Sequence, residues 1–344
     1  MNSLVALVLL GQIIGSTHSY MVREEDLNCN SKAAKYRADQ AVHYINEHNL
    51  HGYKQALNII KTIRLLPSDG LSVIMYLKLN LLETECHVLD PTPVENCTVR
   101  QQHNHAVETD CDVKIIYNIE TFKDEFLVKC HSTPGSVEKI LEDCPKCPLL
   151  LSLSDPHVVD SVEYVLNKHN EKLSGHVYEV LEISRGQHKY EPEAFYVEFA
   201  IVEVNCTAQE AHDDHHHCHP NTAGENHIAF CRATVFRSYA SLEKPKDEKF
   251  ESDCVILHVK EGHTHSHLIE HHIGKYSTSP GHNSTVLNLA HSHNHTSASH
   301  ESHSHEHVTE VPVAVAKRED PTDIPHHHTP SVDGCPGKVL HFKL

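Results

Sequence analysis

The chain has 344 residues, with 47 acidic against 29 basic side chains, 36 histidines and 12 cysteines. Its formal net charge of -18 argues against nucleic acid as a partner and for cations, basic proteins or mineral surfaces. The length suits two domains, and no stretch beyond the N-terminus approaches the ~18 uninterrupted apolar residues of a membrane span.

The histidines make the charge conditional. With a reference pKa near 6.5, about 9 are protonated at pH 7 and about 27 at pH 6, so modest acidification reverses the sign.

Residues 1–19 carry an apolar run from Leu4 to Leu10 and then small polar residues, with Thr17 and Ser19 where a signal peptidase reads. They are expected to be a secretory signal, although the usual basic start is missing. From Ser31 to Asn49, Ala34, Ala38, Ala41, Val42 and Ile45 recur at helical spacing, with Ser31 as N-cap and Asn49 and Gly52 as the stop. Gly70 to Leu82 reads as a β-rich run, and Val113, Ile115, Tyr117 and Ile119 alternate with polar residues as a second strand.

About 120 residues further on the series repeats. Asp155-Pro156 opens a helix with Val158, Val162, Val165 and Leu166 on one face; Val177–Val180 and Phe195–Val204 read as strands. The cysteines repeat with it: Cys86, Cys97, Cys111 and Cys130 are spaced 11, 14 and 19, and Cys206, Cys218, Cys231 and Cys254 are spaced 12, 13 and 23. One helix followed by several antiparallel strands, twice over, is an α+β fold with the helix laid across each sheet.

Neighbour pairing is favoured by the spacing: Cys86–Cys97, Cys111–Cys130, Cys206–Cys218 and Cys231–Cys254, with Cys144–Cys147 between the modules and Cys29–Cys335 left to join the ends. Twelve cysteines allow many other connectivities. From about Gly262 to Thr329 the chain is rich in His, Ser, Thr and Pro without periodicity, and is expected to be a disordered tail.

The sequons at Asn96, Asn205, Asn283 and Asn294 are candidate glycosylation sites. His215, His216, His217 and His219 form the densest metal-ligand cluster, suited to weak Zn²⁺ or Cu²⁺ binding because adjacent residues cannot all face one ion. Glu108, Asp110, Asp112, Glu120, Asp124 and Glu125 gather around the strands near Cys111; carboxylates on a sheet face suit Ca²⁺ or calcium phosphate, while an ordinary solvated edge would look the same. No nucleophile elbow, phosphate loop or His-Glu-x-x-His helix is present, so no enzyme is expected and no cofactor is required.

Cys86-His87-Val88-Leu89-Asp90-Pro91-Thr92-Pro93, Cys144-Pro145-Lys146-Cys147-Pro148, Tyr196-Val197-Glu198-Phe199 and the ending Cys335 to Lys343 resemble the fetuins, and within them the snake-serum antihaemorrhagic factors. The resemblance implies secretion into blood plasma and the disulfide scheme given above. It implies tandem cystatin-like domains at 20–130 and 151–257, a linker at 131–150 and a His-rich tail at 258–344 clasped by its end. It further implies inhibition of zinc metalloproteinases, or alternatively a carrier that keeps calcium phosphate dispersed.

The Gln-x-Val-x-Gly hairpin of cystatins that block papain-like enzymes is missing at Leu65–Gly70 and at Gly186–Tyr190. In fetuins that inhibit astacin-type enzymes the linker offers an acidic residue to zinc, whereas this chain has Lys146, whose ammonium cannot ligate a metal. A broad surface of the first module is therefore the expected contact.

Overall fold

The computed structural model describes residues 25–66, 70–173, 175, 177–206, 228–257 and 334–344. The signal segment, Cys218, His215, His216, His217, His219, Asn283, Asn294 and the tail up to 333 lie outside them.

The first module opens with a short strand β1 (Glu25–Asp26), then helix α1 (Lys32–His48), whose N-terminus is capped by the Ser31 hydroxyl accepting from the Ala34 N–H. Strands β2 (Tyr53–Leu66), β3 (Ser72–His87), β4 (Val107–Asn118) and β5 (Lys123–Pro134) follow, and the sheet runs antiparallel in the order β1-β2-β3-β4-β5. Ala38, Ala41, Val42 and Ile45 of α1 bury their face against Ile63, Leu77, Leu79, Val113 and Ile115.

Helix α2 (Val137–Asp143) and the short strand β6 (Leu149–Leu150) lead into helix α3 (Pro156–Asn170), with Asp155 as N-cap and Pro156 in the first turn. Strands β7 (Val177–Tyr190), β8 (Glu193–Val204), β9 (Ile228–Val235) and β10 (Phe250–Leu257) then build a second antiparallel sheet, ordered β10-β9-β8-β7-β6. Its core holds Val158, Val162, Val165, Phe195, Val197, Phe199 and Ile201.

Helices α1 and α3 end on the same device. Asn46 exchanges two hydrogen bonds with the backbone of Gln55, and Asn170 does so with Tyr178, fixing each helix to the strand that follows. The two cores trade volume: Gly186 of β7 lies so close to α3 that a Cβ would stand 2.6 Å from Val158 Cγ2. In the first module, Ile63 sits opposite Leu77 as Gly186 sits opposite Val197, and Ala38 occupies the helix. A large helix residue over glycine is exchanged for a small one over isoleucine, as close packing requires.

Some strands depart from the pattern expected of them. β2 shows no strand pattern in the sequence, because three register shifts against β3 break its inside–outside alternation. β7 continues from Val177 to Tyr190, so Gly186–Tyr190 is strand and the turn itself is Glu191-Pro192. β5 runs to Pro134, four residues into the segment expected as linker.

Disulfides join Cys86–Cys97, Cys111–Cys130, Cys144–Cys147, Cys231–Cys254 and Cys29–Cys335. Cys111–Cys130 and Cys231–Cys254 link residues directly opposite across adjacent strands. Cys206 is disulfide-bonded too, and its expected partner Cys218 is outside the described residues. The last residues, 334–344, dock on the first module: Gly337 N–H donates to Ile60 O and Leu340 N–H to Asn58 O, at the bulged part of β2.

Candidate functional site: an inter-module clamp and two exposed surfaces

The outer face of the second sheet is not free. Ala200, Val202, Ile228, Phe230 and Leu257 pack against Tyr53, Val88 and Leu89 of the first module. Set into this apolar contact is a chain of buried charges. Arg100 grips Glu198 with two parallel bonds of 3.1 and 3.0 Å, and its Nε stands 2.8 Å from Glu83, which also receives Arg185 at 2.7 Å. Tyr53 donates its hydroxyl to Glu198 at 2.6 Å and lies under the Arg100 guanidinium, 4.7 Å from the ring centre.

Burial alone would raise the Glu198 pKa. The charge and paired bonds of Arg100, with Arg185 and the Tyr53 hydroxyl, overcome it and hold the group down to about 2. Burial works against Arg100 too, but Glu198 and Glu83 raise its pKa further above the ordinary value. The Tyr53 hydroxyl is raised well above its ordinary value by burial and by Glu198, so it remains a donor. Nearby, Glu182 of β7 accepts from Gly52 N–H at 2.7 Å and faces His51 and His87.

The first exposed surface is the linker with the hairpin beside it. The Cys144–Cys147 bridge closes a tight loop, stiffened by Cys147 N–H donating to Cys144 O and by a small core of Ile140, Cys147 and Leu149. Lys146 projects from the loop, 71% exposed, and meets the Glu191 carboxylate at 2.8 Å at the tip of the β7–β8 hairpin. The tip rests on a stack of His157, Phe195, His188 and Tyr239, and Glu193 accepts from Tyr239 N–H. That bond lowers the Glu193 pKa, while burial lowers that of His188. Tyr190 and Leu242 stand exposed at the edge.

The second surface lies at the opposite end of β3. On the outer face Ile74 pairs with Ile116, and Tyr76 and Leu127 flank Lys114. Leu71 and Ile119 extend the patch across two turns joined by an Ile119 N–H to Leu71 O bond. Phe122, 76% exposed, is held there at a φ of 54°, where non-glycine residues are uncommon.

The six acidic residues near Cys111 do not share one face. Glu108, Asp110 and Asp112 point outward from β4, but Lys61 holds Asp110 at 2.7 Å, Lys78 stands 3.6 Å from Asp112, and Asn80 bonds both Glu108 and Asp110. Asp124 turns to the helix side and pairs with Arg37, whereas Glu125 faces outward and Glu120 lies in the β4–β5 turn. Among the described residues, no group of three His, Cys, Asp or Glu side chains is arranged to hold a metal ion. Asn96 and Asn205 are exposed.

Sequence reasoning missed the clamp. The signal was present in part: Glu198 interrupts an apolar strand, and Glu191-Pro192 between aromatic residues marks a turn.

A helix laid on an antiparallel sheet, made twice and joined by a disulfide-closed loop, defines a tandem cystatin-type binding protein, and the cystatin domain pattern matches residues 147–239. The chain is 77% identical to antihaemorrhagic factor cHLP-B of Gloydius brevicauda and 74% identical to antihaemorrhagic factor BJ46a of Bothrops jararaca, each alignment spanning both chains completely. Mouse fetuin-B, solved in an inhibitory complex with human meprin beta, shares the fold with a TM-score of 0.57 at 24% identity, over 69% of this chain and 75% of that one. The chain belongs to the antihaemorrhagic factors of the fetuin family.

Proposed function

We propose that this protein is a secreted plasma glycoprotein that inhibits zinc metalloproteinases by binding, without catalysis. The observation that carries the reading is full-length identity of 72–77% to antihaemorrhagic factors. The structure adds physical support: two modules locked by a buried clamp present rigid surfaces, and a preorganised surface spends little ordering entropy on docking. Among the described residues, the broad patch of the first module and the linker–hairpin edge are the candidate contact surfaces. At the linker the group offered is the Lys146 ammonium paired with Glu191, so occlusion of the target's cleft, rather than ligation of its zinc by the linker, is the mode.

The exposure of Asn96 and Asn205 supports their glycosylation. The test is a titration of the purified protein against a venom zinc metalloproteinase on a protein substrate. Full residual activity at stoichiometric protein sinks the reading.

A second reading, a calcium phosphate carrier, is favoured by the outward row Glu108, Asp110 and Asp112. Lys61 and Lys78 already occupy part of that row, so mineral binding ranks behind inhibition. Turbidity of supersaturated calcium phosphate tests it, and precipitation no slower than with albumin rejects it.

A further inference from the structure

The linker leaves the first module at Gly135 and enters the second at Leu150, and one buried imidazole touches both ends. His105 is fully buried and its ring is bonded on both sides: Nε2 lies 2.9 Å from Gly135 O, and Nδ1 accepts from Leu150 N–H at 3.0 Å. A carbonyl on one side and an amide on the other fix the tautomer, so the ring is neutral with its proton on Nε2. The residue carrying it sits at φ 53°, ψ 59°, in the left-handed region that side chains adopt at a cost.

The second module grips the same place. Arg185 donates from one nitrogen to the carbonyls of Asn104 and His105, both at 2.6 Å, while its other arm holds Glu83. Gln187 reaches Asn104 O at 3.2 Å and Pro148 O at 3.5 Å. The entry and exit of the linker and both modules thus meet at residues 104–105, through bonds separate from the Lys146–Glu191 and Arg100–Glu198 pairs.

We propose that His105 is a positioning residue for inhibition: it fastens the disulfide-closed linker loop, and with it the Lys146–Glu191 edge, in the stance that meets the proteinase. The proposal rests on the inhibitor reading above and adds that the linker edge takes part in the contact. His105 acts through the loop and touches no target itself.

Two substitutions test it, in the full-length protein. His105→Gly removes the imidazole but keeps a residue at ease in the left-handed region. His105→Asn keeps a short acceptor where Nδ1 lies and also tolerates that backbone. Two quantities are read: hydrogen exchange at Lys146 and Cys147, and the inhibition constant against a venom metalloproteinase.

The Gly variant is expected to speed exchange at both amides and to weaken inhibition about tenfold, as expected when a docked segment must be ordered on binding. The Asn variant is expected to recover most of both, which a general loss of stability would not allow. Should Gly misfold by near-ultraviolet circular dichroism, Asn against wild type carries the comparison, with a smaller change in the same two quantities expected. Unchanged exchange in both variants overturns the positioning role. Faster exchange with undiminished inhibition overturns the part given to the linker edge and leaves the first-module patch as the contact. A wild-type protein that inhibits no zinc metalloproteinase sinks the inhibitor reading instead, and the exchange data then still decide whether His105 holds the loop.

Discussion

Replacing Arg100 by methionine separates the clamp into its parts. Arg100 and Arg185 both approach Glu83, at 2.8 and 2.7 Å, and Arg185 has its pKa lowered by burial and by the charge of Arg100. Without Arg100, Arg185 and Glu83 remain a balanced pair, and Glu198 becomes a carboxylate only 14% exposed with its main cation gone. Holding Glu198 at about 2 instead of its ordinary 4.5 corresponds to about 3 kcal/mol at neutral pH, which agrees with the ~3–5 kcal/mol cost of breaking a buried pair. For an ordered portion of this size that lowers the melting temperature by about 10 °C.

The pH dependence has a definite sign. A carboxylate with a depressed folded pKa contributes its stability above the unfolded value, near 4.5, and loses it as the pH falls toward 2. Only about 1 kcal/mol remains at pH 3, so the difference between wild type and Arg100→Met should shrink to less than half there. Calorimetry at pH 7 and pH 3 measures it. Adding Glu198→Gln removes the orphaned charge yet leaves an acceptor for Tyr53, so the double variant should recover most of the loss. Melting of the single variant within 2 °C of wild type at pH 7, or an equal gap at both pH values, refutes the reasoning.

Other substitutions probe the clasp, the patch and the hairpin stack. Cys335→Ser with Cys29→Ser should cost about 2–4 kcal/mol and release the C-terminal segment, seen as faster exchange of Gly337 and Leu340, the amides bonded to Ile60 and Asn58. Phe122→Gly should stabilise the protein by about 1 kcal/mol in denaturant titrations, because it relieves a left-handed backbone and gives up little buried area. His188, lowered in pKa by burial, favours the folded state fully above pH 6.5 and less as the pH falls below it. His188→Phe should therefore lose less stability than wild type between pH 7 and pH 5; equal losses would remove His188 from the account.

What could be read from the sequence was what local chemistry imposes. The helices carried caps and a 3.6-residue apolar period at Ser31 and Asp155, and β4 alternated cleanly around Cys111. β2 did not, because its bulges shift the inward positions partway along. The clamp was hidden for a different reason: Arg100 and Glu198 lie 98 residues apart and Glu83 and Arg185 102 apart, so neither end marks the other. The acidic row on β4 was legible, but its neutralisation comes from Lys78 on the adjacent strand β3 and from Lys61 one strand further, on β2, which only the sheet order and register bring near.

The register also explains why two copies of one module have unlike surfaces. Leu79 pairs with Cys111 in the first sheet as Phe199 pairs with Cys231 in the second. Counting outward from those pairs, Lys78 and Asn80 correspond to Glu198 and Ala200, and Asp110 and Asp112 to Phe230 and Arg232. The face that is a charged, solvated ladder in the first module is therefore a covered, mixed face in the second, where Ala200 and Phe230 lie under Tyr53, Val88 and Leu89 and Glu198 is held by Arg100. An uncovered Phe230 would be an exposed apolar side chain, and a covered Lys78 would be a buried charge without the opposite charge that Arg100 supplies to Glu198, so neither sequence could serve in the other's place. With the outer face of the second sheet covered by the first module, the open sheet face among the described residues belongs to the first copy, and the second offers its β7–β8 hairpin tip beside the linker whose two ends His105 bonds.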